Sequence, residues 1–479
     1  MAEGNMLFLP VKDFCRRNVA TCSPQETVLD IAVMMRDKNI SSAVVCEKGN
    51  PVGILTDRDL RNKVVSQAVD PASLTASDIM NAPLITVREE DFVFEALHKI
   101  SRNNIHRVIV VDAEQRLVGI ITDSDILNLQ SNSPQRLVRD IEEAASIAEL
   151  KKRHKSIQRL VLHLVGTGVP TRELVRMIAH LNDQLQLRLI ALLRERQFND
   201  LPERFAFIVL GSEGRREQTL TTDQDNAIIY ADDLNAAEIA RIEDFSEALI
   251  DALIKIGVPA CPGGIMARNS FWRRSASEWE KVLFSWLQNP RPENILNGSM
   301  CFDMRTLYGD TRLEQELKQK MADFFKKDQM FLTRLAGNLL RFKPPVGLFG
   351  RLKTSHEKEH RDKIDIKKAG IFAMTEGIKT MAMEAGQMYG GTHERVQALV
   401  KQGVLEQVMA DDLEASYNFL VFLRLRCQVE AIRAGLEPDN YITLARLNHM
   451  EKGRLKLAFE EVKAFQDFLE VHFRMHLVR

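Results

Sequence analysis

Two aspartates, Asp223 and Asp225, stand in Thr222-Asp223-Gln224-Asp225-Asn226, which runs into the apolar stretch Ala227-Ile228-Ile229-Tyr230. On an extended chain, residues i and i+2 point to one face, so both carboxylates project together. Close carboxylates repel unless a cation lies between them. Mg²⁺ takes oxygen ligands and is commonly held by one or two carboxylates plus substrate phosphates. Upstream, Gly211 and Ser212 end a second apolar run, Phe205 to Leu210. A Gly-Ser turn opening a helix offers backbone N–H groups and a hydroxyl to phosphate oxygens. A metal beside a triphosphate suits in-line displacement at phosphorus. Alone, an acidic pair or a Gly-Ser turn is a weak signal, because either is usually a solvated turn. Together, in the order strand, GSxGRxE, TDxDN, strand, they are specific.

The elements that must position these groups are legible in outline. Phe205–Leu210 is expected to be a buried strand. Arg215, Arg216, Glu217 and Gln218 read as a first helical turn, and the acids lead into a second strand. Ala236 to Ile256 has helical spacing and ends at Gly257. Val258 to Ala267 reads as a strand with a glycine-rich break, which lacks the Lys-Ser/Thr of a P-loop. Two-metal sites usually carry a third carboxylate. Asp303, in Ser299-Met300-Cys301-Phe302-Asp303-Met304-Arg305, is the candidate. Its apolar neighbours suggest a strand with Arg305 on the same face. A structural Asp–Arg pair at a strand end explains it equally well. Downstream, Lys343 to Gly350 reads as a hinge, and the remainder reads as helical throughout.

This stretch resembles the nucleotidyltransferase superfamily that includes DNA polymerase beta and kanamycin nucleotidyltransferase. It is most similar to the N-terminal domain of the PII-protein uridylyltransferases and to bacterial proteins that join that domain to CBS repeats. The resemblance implies that Asp223 and Asp225, with Asp303 as third acid, hold Mg²⁺ or Mn²⁺. It implies that Gly211, Ser212 and Arg215 position a nucleoside triphosphate. It also places Ile364-Asp365-Ile366-Lys367-Lys368-Ala369-Gly370 in a helical substrate-binding domain beside the nucleotide, where Lys367 meets triphosphate oxygens as a point charge. Arg424 and Arg426 are weaker phosphate candidates. No HD-type metal pair is found, so removal of the transferred group is not expected.

An internal repeat occupies the N-terminal part. Pro51-Val52-Gly53-Ile54-Leu55-Thr56-Asp57-Arg58-Asp59-Leu60 recurs as Leu117-Val118-Gly119-Ile120-Ile121-Thr122-Asp123-Ser124-Asp125-Ile126, each copy after a helical pattern and a polar turn. The twice-present GhhTxxDh signature is similar to a tandem pair of CBS modules. That resemblance implies an adenine nucleotide or related adenosyl ligand between the modules. Thr56 and Asp59 would serve one site, and Thr122 and Asp125 the other. Capping of the helices that follow is the alternative for these residues.

The chain has 479 residues, which bounds it to about three domains. Its formal charge of −1 provides no long-range attraction to nucleic acid or anionic membrane. No 18-residue apolar stretch and no leader pattern appear, so a cytoplasmic protein is expected. The six cysteines show no CxxC spacing, which argues against a sulfur metal site or a disulfide framework. The expected fold class is α/β plus all-α. It comprises a tandem CBS pair at 8–132, a helical connector at 133–204, a polymerase-beta-like nucleotidyltransferase domain at 205–325 and a C-terminal helical bundle at 326–479. The expected activity is metal-dependent transfer of a nucleoside monophosphate to a hydroxyl acceptor under adenylate control. By resemblance, that acceptor is a PII-like protein. A non-catalytic nucleotide-sensing protein and an aminoglycoside-type small-molecule modifier are the alternatives. A homodimer is expected from the CBS pair.

Overall fold

The computed structural model describes residues 10–126, 134–165, 168–221, 223–347, 352–354 and 360–475. Thr222 and the end of the hinge at 348–350 lie outside the described residues. The chain divides into two units, Met1–Arg136 and Leu137–Arg479.

In the first unit the repeated sequence makes the same small sheet twice. Strands β1 (Thr21–Cys22), β2 (Ser42–Glu47) and β3 (Asn50–Thr56) form one, with helix α1 (Val28–Asp37) between β1 and β2. Strands β4 (Thr86–Arg88), β5 (Arg107–Val111) and β6 (Leu117–Thr122) form the other, with α2 (Val93–Arg102) in the equivalent place. In both, the first strand runs parallel to the second and the second antiparallel to the third. The helices match because their apolar spacing matches. Val28, Ile31 and Met35 are buried in α1, and Val93, Ala96 and Ile100 in α2. Asn39 and Asn104 end these helices in the left-handed region, both with φ 50°, which asparagine tolerates. Val44, Ile109 and Val111 close a small shared core between the two sheets.

The second unit is built around strands β7 (Phe205–Val209), β8 (Asn226–Tyr230), β9 (Arg273–Ser275) and β10 (Arg305–Gly309), in the order β10-β7-β8-β9. β7 is antiparallel to both neighbours, and β8 is parallel to β9. The continuous apolar run of β7 follows from burial on both faces. Phe205, Phe207 and Val209 point into one core with helices α3 (Pro134–Glu142), α4 (Ile147–Leu164), α5 (Thr171–Arg196) and, past the one-turn helix α6 (Gly211–Gly214), α7 (Ala236–Ile256). Ala206 and Ile208 point into the opposite core. That second core is filled by helices α8 (Ala276–Gln288), α9 (Pro292–Phe302), α10 (Thr311–Lys327), α11 (Met330–Leu339), α12 (Phe372–Glu384), α13 (Thr392–Lys401), α14 (Gln407–Arg433) and α15 (His449–His472). The helices expected as a connector therefore share a core with the sheet.

Four local expectations change. The turn after β7 is helical at Gly211–Gly214, not at 215–218, because Arg216 adopts φ 57° and breaks the helix. No strand forms at 258–267, and the sheet takes Arg273–Ser275 instead. Asp303 follows a helix rather than lying on a strand. Pro292 starts α9, and Ile295, Gly298, Ser299, Cys301 and Phe302 are buried at helical spacing. The C-terminal part is not helical throughout. β11 (Lys363–Asp365) pairs antiparallel with β12 (Tyr441–Thr443), which anchors the start of the segment carrying Lys367. Among the described residues, no helix is long and apolar enough to cross a membrane.

Candidate active site

The site forms where β7 and β8 end side by side. Leu210 N–H donates to the carbonyl of Asp225 (2.9 Å), so the Gly-Ser turn and the acids leave the sheet together. Gly211 takes φ 53°, and a Cβ there would lie 3.4 Å from Asp225 Oδ2. Gly214 is required more strictly, since its Cβ would lie 1.8 Å from the Asp303 carbonyl oxygen. The turn thus packs against both the Asp225 side chain and the Asp303 backbone.

Asp223 and Asp225 precede β8 and line one cavity of about 610 Å³ with Gly211, Ser212, Arg215 and Lys367. Arg424 and Gln428, one turn apart on α14, line it too. Burial raises the Asp225 carboxyl above its ordinary value; the nearby Asp223 adds to this, while Cys261, Lys367 and Arg215 act against it. Burial lowers the Lys367 ammonium, and so does Arg424, with both aspartates acting against. Burial brings Arg424 down to about 10. Acids and cations thus line one cavity large enough for a ligand and influence one another's charge. Arg426 turns elsewhere, to Glu451 and Glu430.

Asp303 borders the same cavity, but its carboxylate is already paired. Its side chain is fully buried, and Arg215 Nη1 (2.5 Å), Lys379 Nζ (2.7 Å) and Arg395 Nη1 (2.7 Å) engage its two oxygens. Burial alone would raise its carboxyl; Lys379, Arg215 and Arg395 overcome that and hold it well below the usual range. Lys379 also pairs with Glu376 (2.6 Å). Arg215 Nε donates to Glu217 Oε2 (2.7 Å), and Glu217 in turn accepts from Thr392 N–H (2.5 Å) and Oγ (3.0 Å). Arg215 is therefore locked between two carboxylates. Sequence reasoning missed Lys379 and Arg395. The one available signal was a pair of charges, Glu376 and Lys379, inside an otherwise apolar helix.

The donor set at the acids fits a hard divalent cation. Asp223, Asp225 and the Ser212 hydroxyl supply oxygen only, and Asp223 is exposed to the cavity. Among the described residues, no cluster of three or more His, Cys, Asp or Glu forms a metal site. The arrangement thus suits two carboxylates completed by phosphate oxygens. One further feature was not legible in sequence: Gln428 is 1% exposed and its Oε1 has no hydrogen-bond partner. An unpaired buried carboxamide costs about 1–3 kcal/mol, which a ligand group can offset.

In the first unit, cavities of about 600 and 590 Å³ carry the repeated signature. Thr56 and Asp59 line the first and form a capping box: Asp59 Oδ2 accepts from Thr56 N–H (3.0 Å) and Oγ1 (2.6 Å). Asp59 Oδ1 accepts from Asn81 (2.8 Å). Thr122 lines the second, and Asp125 Oδ2 accepts from Thr122 N–H (3.1 Å) and Oγ1 (2.7 Å). Asp125 Oδ1 is held by Arg16 (2.6 Å). Capping is thus present at both copies. Arg107 lines both cavities.

Family models match along the chain. Residues 11–66 and 76–132 match the CBS domain, residues 155–293 match "Putative nucleotidyltransferase DUF294", and residues 329–473 match "Putative nucleotidyltransferase substrate binding domain". An uncharacterized protein of Methanopyrus kandleri is 43% identical over 148 residues, covering 31% of this chain and 71% of that one. A CBS domain-containing protein of Bacillus subtilis is 32% identical, covering 26% of this chain and 86% of that one. Among solved structures, a CBS domain protein of Pyrobaculum aerophilum complexed with AMP is 26% identical, covers 26% of this chain and 99% of that chain, and has a TM-score of 0.24.

Proposed function

Because this chain belongs to the family that joins a CBS pair to a DUF294-type nucleotidyltransferase domain and its substrate-binding domain, we propose that it is a metal-dependent nucleotidyltransferase. The observation that carries this reading is the convergence of Asp223, Asp225, Lys367 and Arg424 on one cavity. Mg²⁺ or Mn²⁺, held by the two aspartates, would neutralise charge on the phosphate oxygens. Lys367 and Arg424, lining the same cavity, would meet the triphosphate oxygens. The Gly211-Ser212 turn brings backbone and hydroxyl to the phosphate beside Asp225. Gln428, one turn beyond Arg424, meets the sugar or base. In the transfer, the acceptor hydroxyl oxygen bonds to the α-phosphorus and loses its proton to solvent, while the bond from the α-phosphorus to the bridging oxygen breaks and pyrophosphate leaves. Asp303 serves here as a positioning residue, fixing Arg215.

The acceptor is a hydroxyl compound. Similarity to the uridylyltransferases favours a protein side chain on a PII-like partner. The CBS pair binds an adenine nucleotide, with Thr56 and Asp59 at one site and Thr122 and Asp125 at the other, and biases transfer. Such control requires two states with different ligand affinity.

A second reading is a nucleotide-binding signalling protein without turnover. The pairing of Asp303 with three cations favours it, since only two carboxylates are then left to hold metal. Incubation of lysate with the purified chain, Mg²⁺ and α-labelled nucleoside triphosphates separates the two. Metal-dependent pyrophosphate release with label on an acceptor, lost in Asp223→Asn/Asp225→Asn, supports transfer. Nucleotide binding without release of pyrophosphate supports the sensor. Release at the wild-type rate by the double variant refutes the site.

A further inference from the structure

A second cavity, of about 350 Å³, shares Arg215, Glu217, Tyr417 and Val421 with the nucleotide cavity. Part of its wall is apolar, with Val175, Ile378 and Leu413. The rest is polar and carries five arginines, Arg172, Arg176, Arg215, Arg216 and Arg305, beside three glutamates, Glu217, Glu394 and Glu414. Arg172 and Arg176 lie one turn apart on α5, so they share a face, and Arg216 comes from the strained turn after α6.

The charges around this cavity do not cancel locally. Its acids are already engaged. Glu217 holds Arg215 and Thr392, Glu394 accepts from Gly391 N–H (3.1 Å), and Glu414 holds His393 (2.8 Å) and Gln397 (2.8 Å). Arg215 and Arg305 are also held, by Asp303 (2.5 Å) and Asp183 (2.8 Å). Arg172 and Arg216 make only long ion pairs, to Glu394 at 3.5 Å and to Asp183 at 3.8 Å. Arg176 makes no ion pair or hydrogen bond among the described residues. Three cations lining one cavity, one without a partner and two with only long ion pairs, leave donors that an anion can engage. Guanidinium groups bind phosphate and carboxylate through paired, charge-assisted hydrogen bonds.

We propose that this cavity is a binding site for a small organic anion. Its phosphate or carboxylate head meets Arg172, Arg176 and Arg216, and its apolar body meets Val175, Ile378 and Leu413. Nothing in this assignment depends on nucleotide transfer, and its test omits metal and nucleotide.

Calorimetric titration of the full chain with phenyl phosphate and, in parallel, with inorganic phosphate tests it. Phenyl phosphate is expected to bind more tightly, because only it carries an apolar body. Arg172→Ala/Arg176→Ala is expected to weaken that binding about tenfold or more, the scale of one lost charge-assisted hydrogen bond. Arg176→Glu, a single exposed change, is expected to weaken it as well. Lys367→Ala is expected to leave it unchanged. Absence of saturable phenyl phosphate binding overturns the proposal, as does equal binding by the arginine variants. Loss on Lys367→Ala also overturns it, by assigning the anion to the nucleotide cavity.

Discussion

Replacing Asp303 by asparagine separates a structural acid from a metal-binding one. The substitution preserves shape and removes one charge. Lys379 keeps Glu376 and Arg215 keeps Glu217. Arg395 keeps no carboxylate partner, and its side chain is 2% exposed. An uncompensated buried charge costs about 3–5 kcal/mol. For a unit of this size the melting temperature should fall on the order of 10 °C. The sign with pH follows from the depressed carboxyl. Asp303 is held below its unfolded value, so its stabilisation is complete above that value, near ~4, and fades as pH falls further. Thermal melts of wild type and Asp303→Asn in EDTA, from pH 7 to pH 3, read this directly. The gap should be widest at pH 7 and narrow below about pH 4. Arg395→Met in the same background should recover part of the loss, because it removes the stranded charge. Asp225→Asn should behave oppositely. Burial raises that carboxyl, so removing its charge should leave stability unchanged or higher at pH 7. A variant Asp303→Asn that melts with wild type, or a gap indifferent to pH, refutes the account of Asp303.

Other consequences are as direct. Glu213 is buried against Gln186, near Asp183, Asp225 and Arg305; burial brings its carboxyl up to about 8. The folded chain therefore holds a proton that the unfolded chain releases above about pH 4.3, so stability should decline from there toward pH 8. Glu213→Gln should flatten that decline, measured by urea unfolding at several pH values; an unchanged slope assigns it to other groups. Gln428→Leu should weaken nucleoside triphosphate binding about 3–10-fold while leaving the nucleotide-free chain as stable or more so, since an unpaired buried polar group is lost. If calorimetry shows no change in affinity, Gln428 does not touch the nucleotide. Asp59→Ala should weaken AMP binding about tenfold, the loss expected for one hydrogen-bonding carboxylate in the ligand site that the CBS resemblance implies. Unchanged affinity would leave Asp59 with capping alone.

What could be read from residue order was local and periodic. The apolar run of β7, the matched helices of the repeat and the Gly-Ser turn followed by two acids are all set by neighbours a few positions apart. Such patterns depend on backbone geometry, so they survive in the sequence. Asp303 shows the limit. Its apolar neighbours looked the same for a buried strand as for the last turn of a buried helix, and periodicity over so short a stretch does not separate them. Its partners Lys379 and Arg395 lie 76 and 92 positions away, and only packing brings them to one carboxylate. The same holds for the encounter of Lys367 and Arg424 with the two aspartates, which β11–β12 pairing and the burial of α14 determine. The sequence alone determined which acids, cations and turn residues this protein has for the proposed phosphate chemistry. Tertiary structure decided which face open space and which are spent on one another, because charges far apart in the chain meet only when burial forces them together.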